Sequence, residues 1–532
     1  MKKIKVGVII DNNLVTKWQL NSLIEINDLV DIKFIYNCQN TKQRKKICKN
    51  FFYYILNFLS IKNKLSQKKG IKHLKNLKYI NFNSTYNNNG WQSLPENILN
   101  NINKNVDAII KFGMNLIHVS KKLKIKYGIL SFHHGDPERY RGRPAAFYEI
   151  LNREKKVGLI LQQLNNELDG GTIVESGYSK IYYHSYKKTL EGLYSISPFI
   201  LKRAFLNLKK GIYKKNYKKG KIYFLPNNLL VLKFFFLLIK NKIIRLSQIV
   251  FFYKKWNIGY TKRIQLNSFK KNFRLIKLQN FTYPPIDRRY KFYADPFFFN
   301  DKNILVEAFH KKKNKGEIIL IDKENFFVNK ILKYKNHLSY PGNFFYKKSQ
   351  YLIPEMAGND RQFLIQIDKN FEILKTIKLN LKKLIDPTYF YFNKTHFIFA
   401  SPNQNSLNLL NLYYSKKSLK KFVPHPYNPI VIDPSLSRMG GQIFKHKGAL
   451  YRFGQNNSEN YGQSLVCIKI EKLDDKSYKE KKIFDIKINS NSVDGPHTLN
   501  FNSKQCVIDF YKNTFSPLAF WHKFLYYFKY KK

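Results

Sequence analysis

Ser131, His133 and His134 close an apolar run over 128–132, and a carboxylate follows in Glu167-Leu168-Asp169-Gly170-Gly171, 36 residues after His133. An imidazole at a strand end, faced by an aspartate from a neighbouring loop, can move a proton, and a serine hydroxyl beside them can donate a hydrogen bond. His134, Asp136 and Arg141 lie in the loop after that run, where substrate contacts belong in an open α/β sheet. The plainer alternatives are a satisfied core histidine and, for Gly135-Asp136-Pro137, turn chemistry. A second set of carboxylates, Asp295, Glu355 and Asp386, stands at the ends of apolar runs further on, with Asp494 and His497 after them. Converging carboxylates suit glycoside chemistry or sugar binding, whereas Asp-Pro at a strand start is also an ordinary turn signal. Glu355 ends an apolar strand, and a buried carboxylate needs a partner.

The elements that must position these groups fall into three stretches. Over 1–205, short apolar runs at 6–10, 31–36, 106–112 and 127–132 alternate with amphipathic stretches, the pattern of a mostly parallel sheet flanked by helices. Residues 42–81 are basic and poorly patterned and predict no element. Residues 206–280 read as a basic amphipathic helical linker. Its segment 229–252 is strongly apolar, but Lys233, Lys240, Lys242 and Arg245 keep it from reading as a transmembrane helix. That segment either packs on a domain, the reading favoured here, or lies in a membrane interface. From 281 to 532 a repeat emerges at Asp295-Pro296, Tyr340-Pro341, Asp386-Pro387, Gly440-Gly441 and Asp494-Gly495, at intervals of 45, 46, 54 and 54 residues. Each copy is followed by a turn and a second apolar strand, which predicts five propeller blades.

The chain has 532 residues, enough for two or more cores, and a formal charge of +60. The lysines run through strands, loops and linkers alike and build no single basic face, so a nucleic-acid partner is not favoured. Cys38, Cys48, Cys467 and Cys506 lack metal or disulfide spacing, so neither a metal site nor a disulfide framework is expected. The apolar run after Met1 is too short for a signal-peptide core, and a cytoplasmic location follows, extending to the inner membrane face if 229–252 is interfacial.

The first 200 residues resemble the 10-formyltetrahydrofolate-dependent formyltransferases. The resemblance is carried by Gly113-Met114-Asn115-Leu116-Ile117, Ser131-Phe132-His133, Tyr140-Arg141-Gly142 and 164–169. It implies a Rossmann-like fold with His133, Asp169 and Ser131 as catalytic groups, Ser131 replacing the family's usual asparagine. It also implies that Met114, Asn115, Leu116, Ile117, Leu164 and Leu168 hold 10-formyltetrahydrofolate as co-substrate, with His134, Asp136 and Arg141 contacting the acceptor. Residues 256–532 resemble the five-bladed propellers of glycoside hydrolases. They are similar to the N-terminal domain of glucosamine inositolphosphorylceramide transferase through Ala294-Asp295-Pro296-Phe297, His337-Leu338-Ser339-Tyr340-Pro341 and Ile353-Pro354-Glu355. There Asp295, Glu355 and Asp386 are the candidate sugar-binding residues. Together the two resemblances imply formyl transfer to a nucleotide- or lipid-linked amino sugar in surface-glycan (for example lipopolysaccharide) assembly. The alternatives are a methionyl-tRNA-type formyltransferase and a non-catalytic glycan-binding or membrane-peripheral assembly protein.

Overall fold

A computed structural model of the chain describes residues 3–41, 48–61, 64–70, 77–87, 90–264, 268–356, 358–502, 504–521 and 523–524. The chain divides into two compact units, Met1–Ile243 and Ile244–Lys532.

In the first unit the parallel strands Ile4–Asp11, Val30–Cys38, Lys78–Phe82, Ala108–Lys111 and Ile129–His133 lie in the spatial order 3-2-1-4-5. Lys156–Gln163 and Thr172–Lys180 extend the sheet antiparallel beyond Ile129–His133. The central strands Ile4–Asp11 and Ala108–Lys111 are mostly buried and apolar because helices cover both faces, whereas Lys78–Phe82 is largely exposed. Helix Glu96–Asn105 buries Ile98, Leu99 and Ile102 with Ile9, Tyr36 and Ile109. Helix Tyr186–Lys210 starts at Ser185, whose hydroxyl accepts from the Lys188 N–H, and ends at Gly211 in the left-handed conformation. In this strand order the direction of winding reverses between Ile4–Asp11 and Ala108–Lys111, and a crevice opens there at the carboxyl ends of the strands.

The second unit is a five-bladed propeller. Sheets built on Tyr290–Phe298, Ser339–Tyr346, Leu384–Phe392 and Ala449–Asn456 form four blades. The fifth joins strand Phe252–Thr261, at the start of the unit, to Cys506–Phe515 near the end of the chain, pairing along all ten residues. This pairing closes the ring of blades.

Two expectations are corrected. Residues 206–280 are not a separate linker: 206–210 complete helix Tyr186–Lys210, the division between units falls within helix Asn228–Phe251, and 252–261 is propeller. The closing strand escapes a repeat search because its partner lies at the far end of the sequence. Within 42–81, helix Phe51–Ile61 and strands Lys68–Gly70 and Lys78–Phe82 are formed, while 42–47, 62–63 and 71–76 lie outside the described residues.

Candidate active site

Register builds the first site. Ile9, Lys111, Ser131 and Gln162 pair in one row across four strands, so their side chains share a face. His133 lies two residues beyond Ser131 on the same face, and Asp169 arrives from the loop that follows strand Lys156–Gln163. His133 Nδ1 is 3.2 Å from Asp169 Oδ2. The pair separated by 36 residues in sequence therefore does meet. Asp169 has a left-handed backbone, φ 46°. It accepts from the Gly142 N–H at 2.8 Å and from Gln162 Nε2 at 3.3 Å.

The loop is held by its glycines and by Arg141. Gly142 has φ +89°, and a Cβ there would fall 2.1 Å from the Tyr223 carbonyl oxygen, so only glycine brings this N–H to Asp169. Arg141 is buried and donates to the Leu168 carbonyl and, at 2.8 Å, to Glu167 Oε1. It clamps the Asp169 loop and does not reach toward an acceptor. His134 lines the same cavity as His133 but is packed among aromatic rings. Its ring packs edge-on to Trp18 and Tyr194, at 5.0 and 5.1 Å, its Nε2 is buried without a partner, and burial pushes its pKa down to about 3. Asp136 accepts from the Glu138 N–H at 3.1 Å and the Tyr178 hydroxyl at 3.3 Å, as turn chemistry predicts.

Both ring nitrogens of His133 are committed. Nε2 lies 2.8 Å from the Tyr140 carbonyl oxygen, which can only accept, so Nε2 carries a hydrogen. Nδ1 faces the Asp169 carboxylate at 3.2 Å. With both nitrogens engaged, the ring does not itself point a donor at an incoming oxygen.

That donor comes from a residue the sequence did not single out. Lys111 lies beside Ser131 at the mouth of the crevice, and burial lowers its pKa to about 8 against the opposing pull of Asp11 and Asp169. Among the described residues neither the Lys111 ammonium nor the hydroxyl of residue Ser131 has a hydrogen-bond partner. Two donors free of hydrogen bonds beside a carboxylate–imidazole pair fit an oxygen that gains charge during reaction. The expected folate-holding residues are less open. Met114 and Ile117 are core side chains, the Met114 N–H is taken by Asp11 at 2.9 Å, and the Leu116 carbonyl is taken by Gln92 at 2.7 Å. Leu164 packs on the same core, and the Leu168 carbonyl serves Arg141. Only Asn115 and Leu116 present exposed side chains there.

Glu149, on the short helix Phe147–Leu151, was also missed. It is 3% exposed, lines cavities on both sides of the 133–142 loop, and burial pushes its carboxyl up to about 8.

The propeller gathers its carboxylates differently. Asp295, Tyr340 and Asp386 occupy equivalent places on three successive blades, each before a proline, each with φ between 46° and 49°, and each at a break in strand register. The Xaa-Pro repeat is therefore a strained bulge inside a strand and not a turn. Asp386 is gripped by Arg438 at 2.6 and 2.8 Å and by Gln455 at 2.9 Å, and its N–H donates to Glu355 Oε2 at 3.2 Å. Asp295 accepts from Thr498 at 2.6 Å. His497 Nδ1 sits 2.7 Å from Asp509 and 3.5 Å from Asp295. Burial opposes charge on this ring, but the two carboxylates outweigh it and hold its pKa up to about 9. Ligand atoms of Asp295, His497 and Asp509 lie within 4.8 Å of one another, and the imidazolium places its own positive charge between the two acids. Burial raises Glu355 to about 8 and Asp295 to about 6. Arg438, Asp509 and Glu307 carry much of this network and were not foreseen, since nothing marks them out in an Arg/Lys- and Asp/Glu-bearing strand.

Fold and site thus define an α/β unit with a crevice at its switch point and a five-bladed propeller with an acidic network. Residues 285–505 match the family "Glucosamine inositolphosphorylceramide transferase 1, N-terminal". Glucosamine inositolphosphorylceramide transferase 1 of Arabidopsis thaliana is 30% identical over 234 residues, covering 40% of this chain and 30% of that protein. Its counterpart in Oryza sativa subsp. japonica is 36% identical over 153 residues, covering 27% and 20%. The chain therefore spans less than a third of the length of these relatives. Among solved structures, the sugar 3N-formyl transferase WlaRD is 13% identical, covering 61% of this chain and 99% of that one with a TM-score of 0.28. The GH43_1 enzyme from Xanthomonas citri, complexed with xylotriose, is 8% identical and covers 44% and 88% with a TM-score of 0.32. At such identities and scores the two structures do not bear on chemistry.

Proposed function

We propose that the first unit transfers a formyl group from 10-formyltetrahydrofolate to the amine of an amino sugar. One observation carries the reading: Lys111, Ser131, His133 and Asp169 share one face at the switch point of a 3-2-1-4-5 sheet, with two donors unpaired. The amine attacks the formyl carbon, Lys111 and Ser131 donate to the oxygen that gains charge, and the Asp169 carboxylate, held by His133, accepts the proton the amine loses. The bond from the donor nitrogen to the formyl carbon then breaks and that nitrogen takes a proton, so the products are the formamide and tetrahydrofolate.

An amino-sugar acceptor is supported by the company the crevice keeps. The propeller matches a family whose name includes glucosamine, and its acidic network suits recognition of hydroxyls and amines more than hydrolysis, because Arg438 already neutralises Asp386. The test is to incubate the full chain with 10-formyltetrahydrofolate and a panel of free, nucleotide-linked and lipid-linked amino sugars, and to follow gain of one formyl group by mass. Transfer that disappears in His133→Ala supports the assignment. Folate binding without transfer to any acceptor overturns it.

A further inference from the structure

Helix Asn228–Phe251 buries only Val231 and Phe234. Phe234 stacks on Phe147 at 4.3 Å and meets Tyr186 edge-on at 5.5 Å, which anchors that one side of the helix. The expectation that the apolar face packs on a domain is thus wrong for most of its length. Leu229, Leu232, Phe236, Ile239, Ile243 and Leu246 recur at alternating steps of three and four residues, and each is between 37% and 78% exposed. An uncovered apolar seam of this length marks an interaction surface. No helix among the described residues is long and apolar enough to cross a membrane, so the seam does not span one.

The charges on the helix say what covers the seam. Lys233, Lys240, Lys242 and Arg245 are exposed around it, and the helix contains no Asp or Glu. A second copy of the same helix would set lysine against lysine at the flanks, where a coiled coil needs opposite charges. An anionic surface pairs with the same side chains without that penalty. A second apolar face adjoins the start of the helix: the Phe52 N–H donates to Asn228 Oδ1 at 3.1 Å, and Asn228 Nδ2 donates to the Cys48 carbonyl at 2.9 Å. From that junction helix Phe51–Ile61 exposes Phe51, Ile55 and Leu59 at four-residue steps, again without an acid.

We propose that the outward seam of helix Asn228–Phe251, together with the face formed by Phe51, Ile55 and Leu59, seats this protein on an anionic lipid surface, the helix lying in the plane of the interface. The apolar row enters the acyl boundary and the flanking lysines meet the headgroups. This does not rest on the formyl-transfer reading, and neither assignment falls with the other.

With a formal charge of +60, some attraction to any anionic vesicle is expected, so the experiment turns on the seam itself. The full chain is sedimented with vesicles of phosphatidylcholine alone and of phosphatidylcholine mixed with phosphatidylglycerol. The parent should bind the mixed vesicles. The triple variant Phe236→Glu, Ile239→Glu, Ile243→Glu should lose more than about tenfold in partitioning. Lys240→Glu with Lys242→Glu should lose roughly fivefold per lysine on mixed vesicles only. All five positions are exposed, and an unchanged melting curve confirms that the variants fold. A triple variant that sediments like its parent overturns the proposal, since charge elsewhere then suffices. So does a parent that is dimeric by sedimentation equilibrium and becomes monomeric in the triple variant, which assigns the seam to a second copy.

Discussion

Asp169 and Asp386 both sit on left-handed backbone, at φ 46° and 49°, and both are held by several partners, yet their surroundings do opposite things. Asp386 is sealed in: Arg438 grips it with two hydrogen bonds, Gln455 adds a third, and its side chain is 3% exposed. Asp169 is 16% exposed, accepts a main-chain N–H and one amide, and faces an imidazole across 3.2 Å with Lys111 and Ser131 unpaired nearby. A buried charge gripped by a guanidinium and an amide has little left to offer a ligand, so Asp386 itself serves the shape of its network. A carboxylate whose neighbours keep spare donors is poised for a reacting group. The difference is one of satisfaction, not of residue type.

The sharpest way to break this contrast is the same substitution in both places. Asp169→Asn should lower formyl transfer by roughly 10²–10⁴-fold, measured as turnover at saturating donor, while the urea midpoint moves little. Asp386→Asn should do the reverse. It strips buried Arg438 of its bidentate partner and leaves Glu355, at 3.9 Å, to face it, which costs about 3 kcal/mol of propeller stability by denaturant titration and spares the chemistry. If Asp386→Asn abolishes transfer in a folded protein, or Asp169→Asn unfolds the first unit, the two networks have been assigned the wrong way round.

Lys111 refines the picture within the crevice. Lys111→Met removes a charged donor to the oxygen and should cost about 10²–10³-fold in turnover with folate affinity retained. The donor must be protonated, so parent activity should fall as pH rises through about 8, and the variant should lose that limb of the profile. Ser131→Asn added to Lys111→Met should recover part of the rate, because the longer amide reaches the place the ammonium filled. A variant with the parental rate would move the oxygen's donors elsewhere.

Much of this was legible in the residues before any coordinates. The central parallel strands carry apolar runs, the blades repeat with their Xaa-Pro bulges, and a strand-end histidine followed by Leu-Asp-Gly-Gly brought His133 and Asp169 together. Lys111 was hidden because one lysine among so many says nothing until strand register sets it beside Ser131. Arg141 and His134 misled for a related reason: a cation and an imidazole in a loop look like ligand contacts, and only the Leu168 carbonyl and the Trp18 ring show them to be clamp and core. Arg438 and Asp509 lie 52 and 214 residues from their partners Asp386 and Asp295, beyond any local pattern. The apolar stripe of 229–252 was visible, but whether it is covered is a tertiary fact.

Glu149 gives the gentlest test, since among the described residues this buried carboxyl has no ion-pair partner. Desolvation raises its pKa from an ordinary 4.5 to about 8, its own backbone N–H works against that rise, and the Glu154 and Asp136 charges reinforce it. In the folded protein the carboxyl therefore keeps its proton across a range in which the unfolded chain has lost it. Below about pH 4.5 the two states carry the same proton and Glu149 has no effect on stability. As pH rises from there toward 8 the unfolded chain binds fewer protons than the native one, so stability falls with pH, and above 8 the loss is complete. Glu149→Gln keeps the shape and removes the ionisation. The variant should match its parent near pH 4.5 and exceed it by on the order of 1–3 kcal/mol at pH 8–9, read from urea midpoints. The opposite sign, a variant weaker than its parent at high pH, would mean that the ionised carboxylate has a cationic partner in the native protein, and Glu149 would then belong with Asp386 and not with Asp169.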